Sequence, residues 1–120
     1  LGKYDPTTMT ATVMALINSD RGAVFVACHD TQVVGFLMAS LTPLFMCHEC
    51  YVAAELAWFV LPGYRSHGFG IGLIHALEDW ARAHGAAGVA MSGLSKYPTL
   101  SLVYERAGYV PSETGYLKVL

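Results

Sequence analysis

Arg65-Ser66-His67-Gly68-Phe69-Gly70 is the stretch that decides the fold, because it lies where a strand-like pattern ends and a helical pattern begins. The first N–H groups of a helix have no partner within the helix and carry a partial positive charge, so an anion bound there gains hydrogen bonds and a favourable field. Gly68 and Gly70 lack a Cβ, which lets the backbone approach such an anion closely. Arg65 adds a permanently charged guanidinium. The stretch therefore predicts a diphosphate-binding turn, although it could also be an ordinary glycine-rich connection.

The elements before this turn are predicted from apolar spacing and from the content of β-branched and aromatic residues. They are a helix over 7–19 and strands over 23–28, 32–41 and 54–60. The segment His29-Asp30-Thr31 is short enough for a hairpin turn between the first two strands. A loop through Pro43 leads to the third strand, which ends at Leu61-Pro62-Gly63.

The elements after the turn are predicted by the same criteria. They are a helix over 71–84, a strand over 87–92, a helix over 98–107 and two strands near 109–110 and 116–119. The first of these helices would form the crossover of a parallel strand–helix–strand unit. The order of elements predicts a mixed α/β fold in a single domain over residues 1–120, with a mostly antiparallel twisted sheet and flanking helices.

The composition excludes several classes of protein. With 120 residues, of which 54% are apolar and 13% charged, the chain can bury one core but scarcely two. No run reaches the ~18–20 apolar residues that a membrane span needs, and residues 1–10 do not resemble an export signal. The net charge is −2 and the seven Lys and Arg residues are scattered, so a nucleic-acid partner is not expected. These features predict a cytoplasmic protein that binds neither membrane nor nucleic acid.

The chain has three cysteines, and this odd number argues against a disulfide framework. Cys47 and Cys50 form a C-x-x-C motif, but no second motif supplies the four ligands of a structural zinc site. Cys28 and His29 are the only further ligand candidates nearby. We therefore expect no metal, and we expect the motif to lie in a loop of small, polarisable side chains. Metal binding and redox chemistry of the pair are the alternatives.

The turn and its neighbours resemble the GNAT superfamily of N-acetyltransferases. The superfamily signature Arg/Gln-x-x-Gly-x-Gly/Ala is matched by residues 65–70, its preceding strand with a trailing proline by residues 55–62, and its Tyr-x-x-x-Gly-Phe/Tyr element by residues 104–109. Other phosphate motifs fit less well, because no Lys-Ser/Thr pair follows the glycines and no acidic residue ends a strand ~20 residues later. The order and spacing of elements agree from about residue 7 to the C-terminus.

The resemblance implies acetyl-coenzyme A as co-substrate, a small-molecule or peptide amine as acceptor, and direct transfer in a ternary complex. It also implies which residues bind the cofactor. They are Phe59 and Val60, whose backbone would pair with the pantetheine arm, and the turn residues Arg65, Ser66, His67, Gly68, Phe69, Gly70 and Ile71. A homodimer is common among such proteins.

Two side chains are candidates for the chemistry. Glu55 matches the position where GNAT enzymes often carry a carboxylate that deprotonates the amine, and Tyr104 matches the hydroxyl that protonates the leaving thiolate. Strand alternation would put Glu55, Ala57 and Phe59 on one face. A solvated or ion-paired strand residue remains the alternative for Glu55, and a core aromatic residue remains the alternative for Tyr104.

Two departures from the superfamily pattern concern the acceptor side and one cofactor contact. No segment before Thr7 matches the superfamily's first strand and helix, which carry part of the acceptor pocket. An Asn that helps to hold the cofactor in many relatives corresponds to Tyr97, so Ser95 or Thr99 would have to replace that contact. The first departure keeps open a second hypothesis, a non-catalytic coenzyme A-binding or interaction module with the same fold.

Overall fold

A computed structural model describes residues 2–93 and 96–120. The elements in this part of the chain are α1 (Pro6–Ile17), β1 (Gly22–His29), β2 (Gln32–Leu44), β3 (Cys47–Val60), a 3₁₀ helix (Pro62–Tyr64), α2 (Phe69–Ala83), β4 (Gly88–Ala90) and α3 (Thr99–Arg106). The three helices and the first four strands therefore lie where the sequence predicted them, with shifted ends. Among the described residues, no helix combines the length and the hydropathy needed to cross a membrane.

The four strands form one mixed sheet in the order β1-β2-β3-β4. β1 pairs antiparallel with β2, and β2 pairs antiparallel with β3. β4 runs parallel to β3, so α2 is the crossover that joins the two strands. The predicted mixed, mostly antiparallel sheet with flanking helices is confirmed.

The core lies between α2 and one face of the sheet. The helix buries apolar side chains at three- and four-residue spacing, which places them on one stripe: Leu73, Ile74, Leu77 and Ala81. They pack against buried sheet residues that include Leu37, Ala39, Ala53 and Val60. Burying one Leu or Ile side chain contributes about 1.5–3 kcal/mol. This packing fixes the start of α2 beside the end of β3.

The two strands predicted near 109–110 and 116–119 are wrong, because residues 109–120 contain no strand. The backbone N–H of Tyr109 donates to the carbonyl of Tyr104 at 3.0 Å and so closes the end of α3 instead of entering a sheet. Further along, Tyr116 is 95% exposed and Leu117 is 75% exposed. An alternating apolar pattern becomes a strand only where a neighbouring strand can pair with it.

The loop predicted between the second and third strands is also wrong. β2 and β3 continue as a hairpin to a two-residue turn at Phe45 and Met46, and Cys47 to Cys50 belong to β3. Pro43 is tolerated because it lies beyond Ser40, the last residue of β2 that pairs with β1. Past that point β2 has a neighbour on one side only, which is where a strand accepts proline.

Candidate active site

The turn before α2 contains a backbone conformation that favours glycine. Gly68 has φ of 81° and stands at the N-terminus of α2, where no side chain caps the helix. The first backbone bond of the helix runs from the N–H of Gly72 to the carbonyl of Gly68 at 3.0 Å. The N–H groups of the intervening residues 69–71 precede that bond, so the helix does not pair them. A Cβ at Gly68 would meet no atom within 4 Å, so conformation and not crowding by the protein selects glycine here.

Gly70 has a different role from Gly68, although the sequence suggested one role for both. A Cβ at Gly70 would lie 3.1 Å from Cζ2 of Trp58 and 3.8 Å from Cγ2 of Val60. The first turn of α2 therefore lies so close to the Trp58 ring that an added Cβ would crowd it. This close contact places the unpaired N–H groups of the helix beside the C-terminal end of β3.

Arg65 links the turn to the same end of β3. Its Nε donates to the carbonyl of Val60 at 2.7 Å, and its guanidinium carbon lies 5.3 Å from the centre of the Phe59 ring. Within residues 2–93 and 96–120, its two terminal nitrogens have no hydrogen-bond partner. Ser66 and His67 are exposed in the turn. The sequence predicted an arginine free to pair with phosphate, and the structure shows one already fixed by its Nε.

A β-bulge at Leu56 determines which side chains of β3 face α2. Ala57 lies opposite Met38 and Glu55 lies opposite Ala39, so Leu56 has no partner in β2. Residues opposite each other in a sheet share a face. Because Ala39 belongs to the core against α2, Glu55 faces that side too.

The residues after the bulge confirm this change of face. Trp58 lies opposite Leu37 of the core, whereas Phe59 lies opposite Phe36 and contacts its ring at 6.3 Å between centres. Glu55 therefore shares a face with Trp58 and not with Phe59. The expectation from simple alternation, which grouped Glu55, Ala57 and Phe59, is wrong because the bulge adds one residue between them.

Both candidate catalytic side chains are bound to the backbone of Ser92, just beyond β4. The N–H of Ser92 donates to Oε2 of Glu55 at 3.0 Å, and the hydroxyl of Tyr104 donates to the carbonyl of Ser92 at 2.6 Å. The ring of Tyr104 lies 5.7 Å from that of Trp58, between centres. The structure thus brings together two residues that are far apart in sequence. Sequence reasoning missed Ser92 as their common anchor, because a backbone contact leaves no signal in residue type.

The surroundings shift the acidity of both groups. Burial raises the pKa of Glu55 above its usual range, although the Ser92 N–H opposes this shift. Burial and, to a smaller extent, the charge of Glu55 raise the pKa of Tyr104 to about 12. Glu55 is therefore a stronger base than an exposed glutamate, and Tyr104 keeps its proton at neutral pH.

The sheet opens beside these residues. β4 pairs with β3 only at Val52, Ala53 and Ala54. Within the described residues, the rest of β3 up to Val60 has no strand partner on that edge, while its other edge remains paired with β2. A free strand edge can take up an extended ligand through main-chain hydrogen bonds. Phe59 and Val60 lie at the end of this free edge, next to the start of α2.

The cysteines do not form a metal site with Cys28 and His29. Cys28 and His29 lie at the end of β1 that pairs with the start of β2, whereas Cys47 pairs with Leu44 at the opposite end of β2. Among the described residues, no three His, Cys, Asp or Glu side chains are close enough to hold a metal ion. Of the two proposed replacements for the missing Asn contact, Thr99 begins α3 and Ser95 lies outside the described residues.

Residues 3–109 match the sequence model of the acetyltransferase (GNAT) family. This chain belongs to the GNAT family. An aminoglycoside N(6')-acetyltransferase type 1 from Klebsiella aerogenes is 39% identical over 59 residues, which are 47% of this chain and 38% of that protein. The aligned stretch thus spans well under half the length of this relative.

Solved structures show the same GNAT fold. AAC(6')-Iy in complex with the bisubstrate analogue CoA-S-monomethyl-acetylneamine superimposes with a TM-score of 0.84 at 23% identity, covering 98% of this chain and 81% of that one. A transcriptional regulator from Bacillus halodurans C-125 superimposes with a TM-score of 0.86 at 19% identity, again covering 98% and 81%. The resemblance first seen in residues 55–62, 65–70 and 104–109 is confirmed at the level of family and fold.

Proposed function

We propose that this GNAT domain is an N-acetyltransferase that moves an acetyl group from acetyl-coenzyme A to a primary amine while both are bound. The observation that carries the proposal is the meeting of Glu55 and Tyr104 at Ser92, on the face of β3 next to its open edge. A base and a hydrogen-bond donor held by the same backbone residue suit a reaction that removes a proton from one partner and stabilises a negative charge on the other.

The cofactor would bind along the open edge of β3 and across the turn before α2. The uncapped helix start at Phe69, Gly70 and Ile71 offers unpaired N–H groups to the diphosphate. The terminal nitrogens of Arg65 would add charge-assisted bonds. The backbone of Phe59 and Val60 would pair with the amides of the pantetheine arm. In support, the Nε contact to Val60 already holds Arg65 at that place.

Glu55 would activate the acceptor. A primary amine with a pKa of about 10 is neutral in only about one molecule in a thousand at pH 7, so supplying the free base costs roughly 4 kcal/mol. A carboxylate whose pKa is raised by burial takes up this proton more readily than an ordinary one. Its bond to the Ser92 N–H leaves Oε1 available for the amine or for an intervening water.

Tyr104 would stabilise the leaving thiolate. Its pKa of about 12 lies above that of a thiol, about 8.5, so its proton is not transferred spontaneously. We therefore assign Tyr104 chiefly the role of a hydrogen-bond donor to the developing thiolate. To do this its hydroxyl must exchange the carbonyl of Ser92 for the sulfur. The proton that the thiolate finally needs is the one that the amine gives up to Glu55.

We further propose a small-molecule amine as acceptor and aminoglycosides as the first class to screen. The support is the name of the relative from Klebsiella aerogenes and the neamine-derived analogue bound to AAC(6')-Iy. Peptide amines are the second class to test. We also propose that the protein forms a homodimer, which size-exclusion chromatography with light scattering tests. We propose a cytoplasmic location as well.

Calorimetric titration with acetyl-coenzyme A tests cofactor binding through two glycines in left-handed conformations. Gly68 and Gly85 stand at opposite ends of α2, with φ of 81° and 69°, and neither would crowd an added Cβ. Substitution by Ala costs each about 1–3 kcal/mol of strain. Only Gly68→Ala should weaken cofactor affinity, because relief of the strain would shift the N–H groups of the turn away from the diphosphate. One lost charge-assisted bond is worth ~1.5–3 kcal/mol, so we expect a loss of about tenfold or more. Equal affinities in both variants would refute the assigned turn.

Arg65→Ala, with Arg82→Ala as control, tests the charge at this turn. Arg82 is exposed at the far end of α2, where it pairs with Glu78 and Asp79. We expect only the Arg65 variant to bind acetyl-coenzyme A about tenfold more weakly.

Release of free thiol across a panel of amines then distinguishes the enzyme from a binding module. Normal cofactor binding without transfer to any amine would favour the module.

A further inference from the structure

β3 contains a second irregularity, which the proposed acetyl transfer does not use. Pro43 lies opposite Tyr51, but its neighbour Leu44 lies opposite Cys47. The three residues 48–50 therefore have no partner in β2 and form a three-residue bulge next to the hairpin turn. In a regular strand, residues three apart point to opposite faces and lie about 10 Å apart. The bulge instead brings Sγ of Cys47 to 2.9 Å from Sγ of Cys50.

This thiol pair is accessible from solvent. Cys47 is exposed and Cys50 is partly exposed. The adjoining turn residues Phe45 and Met46 are 89% and 87% exposed, so the described residues leave the turn beside the thiols open to solvent. Cys28 is exposed too, but it lies at the opposite end of the sheet. Two thiols in contact, and not one cysteine alone, distinguish the bulge.

The contact makes the two thiols unequal. When Cys47 loses its proton, its thiolate can accept a hydrogen bond from the thiol of Cys50, which lowers the pKa of Cys47 below its usual range. The same contact raises the pKa of Cys50. Unequal acidity of this kind is typical of dithiols in which one sulfur attacks and the other resolves the intermediate.

We propose that Cys47 and Cys50 form a reversible dithiol–disulfide site that exchanges with small-molecule disulfides such as glutathione disulfide. The Cys47 thiolate attacks one sulfur of glutathione disulfide, which breaks its S–S bond, releases one glutathione thiolate and leaves a mixed disulfide. Cys50, after losing its proton, attacks Cys47 and releases the second glutathione. The pair loses two electrons and two protons, and glutathione disulfide gains them as two molecules of glutathione.

The bulge should make Cys47 and Cys50 easier to oxidise to a disulfide in the folded chain than in an unfolded chain with the same C-x-x-C spacing. The thiols are already in contact, so closing the ring demands little further loss of backbone freedom. In an unfolded chain the same two residues must first find each other. The folded protein should therefore form the disulfide more readily than its denatured form, which is the measurable signature of a site built by the fold.

The proposal is tested by equilibrating the reduced chain of residues 1–120 with glutathione and glutathione disulfide. Acid quenching, thiol alkylation and mass spectrometry then follow. We expect a loss of two hydrogen atoms and a peptide crosslinked between Cys47 and Cys50. Cys50→Ser should accumulate a mixed disulfide with glutathione on Cys47. Cys28→Ser should behave as the unchanged protein. The equilibrium constant for oxidation should fall by about tenfold or more in 8 M urea, where the bulge is lost.

Four results would overturn the proposal. The first is a pair that stays reduced in excess glutathione disulfide. The second is a stable glutathione adduct on Cys47 of the unchanged chain, which would mean that Cys50 cannot reach it. The third is an equal equilibrium constant for oxidation in buffer and in urea, which would mean that the C-x-x-C spacing alone, and not the fold, determines oxidation. A chelatable metal on the purified chain that protects both thiols would contradict the dithiol assignment as well.

Discussion

β3 is interrupted twice, and the two interruptions differ in depth. The bulge at Leu56 adds one residue in the half of the strand that packs under α2, whereas the bulge at 48–50 adds three near the exposed hairpin turn. The inner bulge turns Glu55 and Trp58 to the same face, and the outer bulge brings two thiols into contact. A bulge therefore brings reactive side chains together at both places. At the inner bulge they are partly buried, and at the outer bulge they are exposed or partly exposed.

Burial matters because it disfavours the charged form of an ionisable group. At the inner bulge, burial is the main cause that raises the pKa of Glu55 and of Tyr104. At the outer bulge, the contact between the thiols is the main cause of the opposite shifts at Cys47 and Cys50. We therefore expect changes at the inner bulge to affect acetyl transfer and matched changes at the outer bulge to leave it unchanged.

The largest effect should come from Glu55→Gln at the inner bulge. Removing a general base typically lowers the rate by about 10²–10⁴-fold, so we expect kcat/KM for an accepted amine to fall by about a hundredfold or more. Glu49→Gln is the matched control, because Glu49 is an exposed carboxylate in the outer bulge of the same strand. Steady-state release of free thiol measures both. Equal rates for the two variants would remove Glu55 from the reaction.

A smaller effect on turnover is expected from Tyr104→Phe, which deletes the hydroxyl bound to Ser92. Losing one hydrogen bond to a charged group costs ~1.5–3 kcal/mol, so kcat should fall by about tenfold or more with little change in cofactor affinity. Tyr109→Phe removes a hydroxyl that donates to Glu78 at 3.0 Å. That control should lower the free energy of unfolding and leave kcat within about twofold. A normal kcat in Tyr104→Phe would assign this tyrosine to packing alone.

The sequence predicted the elements around the inner bulge, because their residues carry family and helix signals. The turn 65–70, the strand before it and the helix after it were found by patterns of glycine, β-branched residues and apolar spacing. These patterns report local conformation, which each segment largely determines for itself. The same reasoning placed Glu55 and Tyr104 in one site, and the structure brings both to Ser92.

The two bulges and the unpaired C-terminus could not be read from the sequence in the same way. A bulge depends on the register between strands. The residue types at Leu56 and at positions 48–50 do not indicate an extra residue. Because alternation was assumed, Glu55 was grouped with Phe59, and the C-x-x-C was assigned to a loop. Residues 109–120 show the reverse case, because their strand-like pattern pairs with no strand in the part of the chain that the structure describes.

Gly70→Ala should break the close packing that holds α2 to the inner half of β3. The new Cβ would lie 3.1 Å from Cζ2 of Trp58, so the ring or the helix must shift, at a cost of about 1–3 kcal/mol for overpacking. Gly72→Ala is the matched control on the same helix, since its Cβ would meet nothing within 4 Å. That variant should gain up to about 1 kcal/mol from helix propensity. Urea unfolding of both, without ligand, measures the difference, and equal stabilities would contradict the tight contact.

The smallest expected effect is the pH dependence of stability that Glu55 contributes. Its pKa is raised in the folded state, so between about 4.3, the value for an unfolded chain, and the folded pKa the native state binds more protons than the unfolded state. The free energy of unfolding of the unchanged protein should therefore decline as pH rises through this window. Glu55→Gln lacks this contribution, so its stability relative to the unchanged protein should increase over the same range. Urea unfolding at a series of pH values, with Glu49→Gln run alongside, isolates the effect of burial at the inner bulge. A relative stability of Glu55→Gln that falls with rising pH would mean that charge pairing, and not burial, dominates at Glu55.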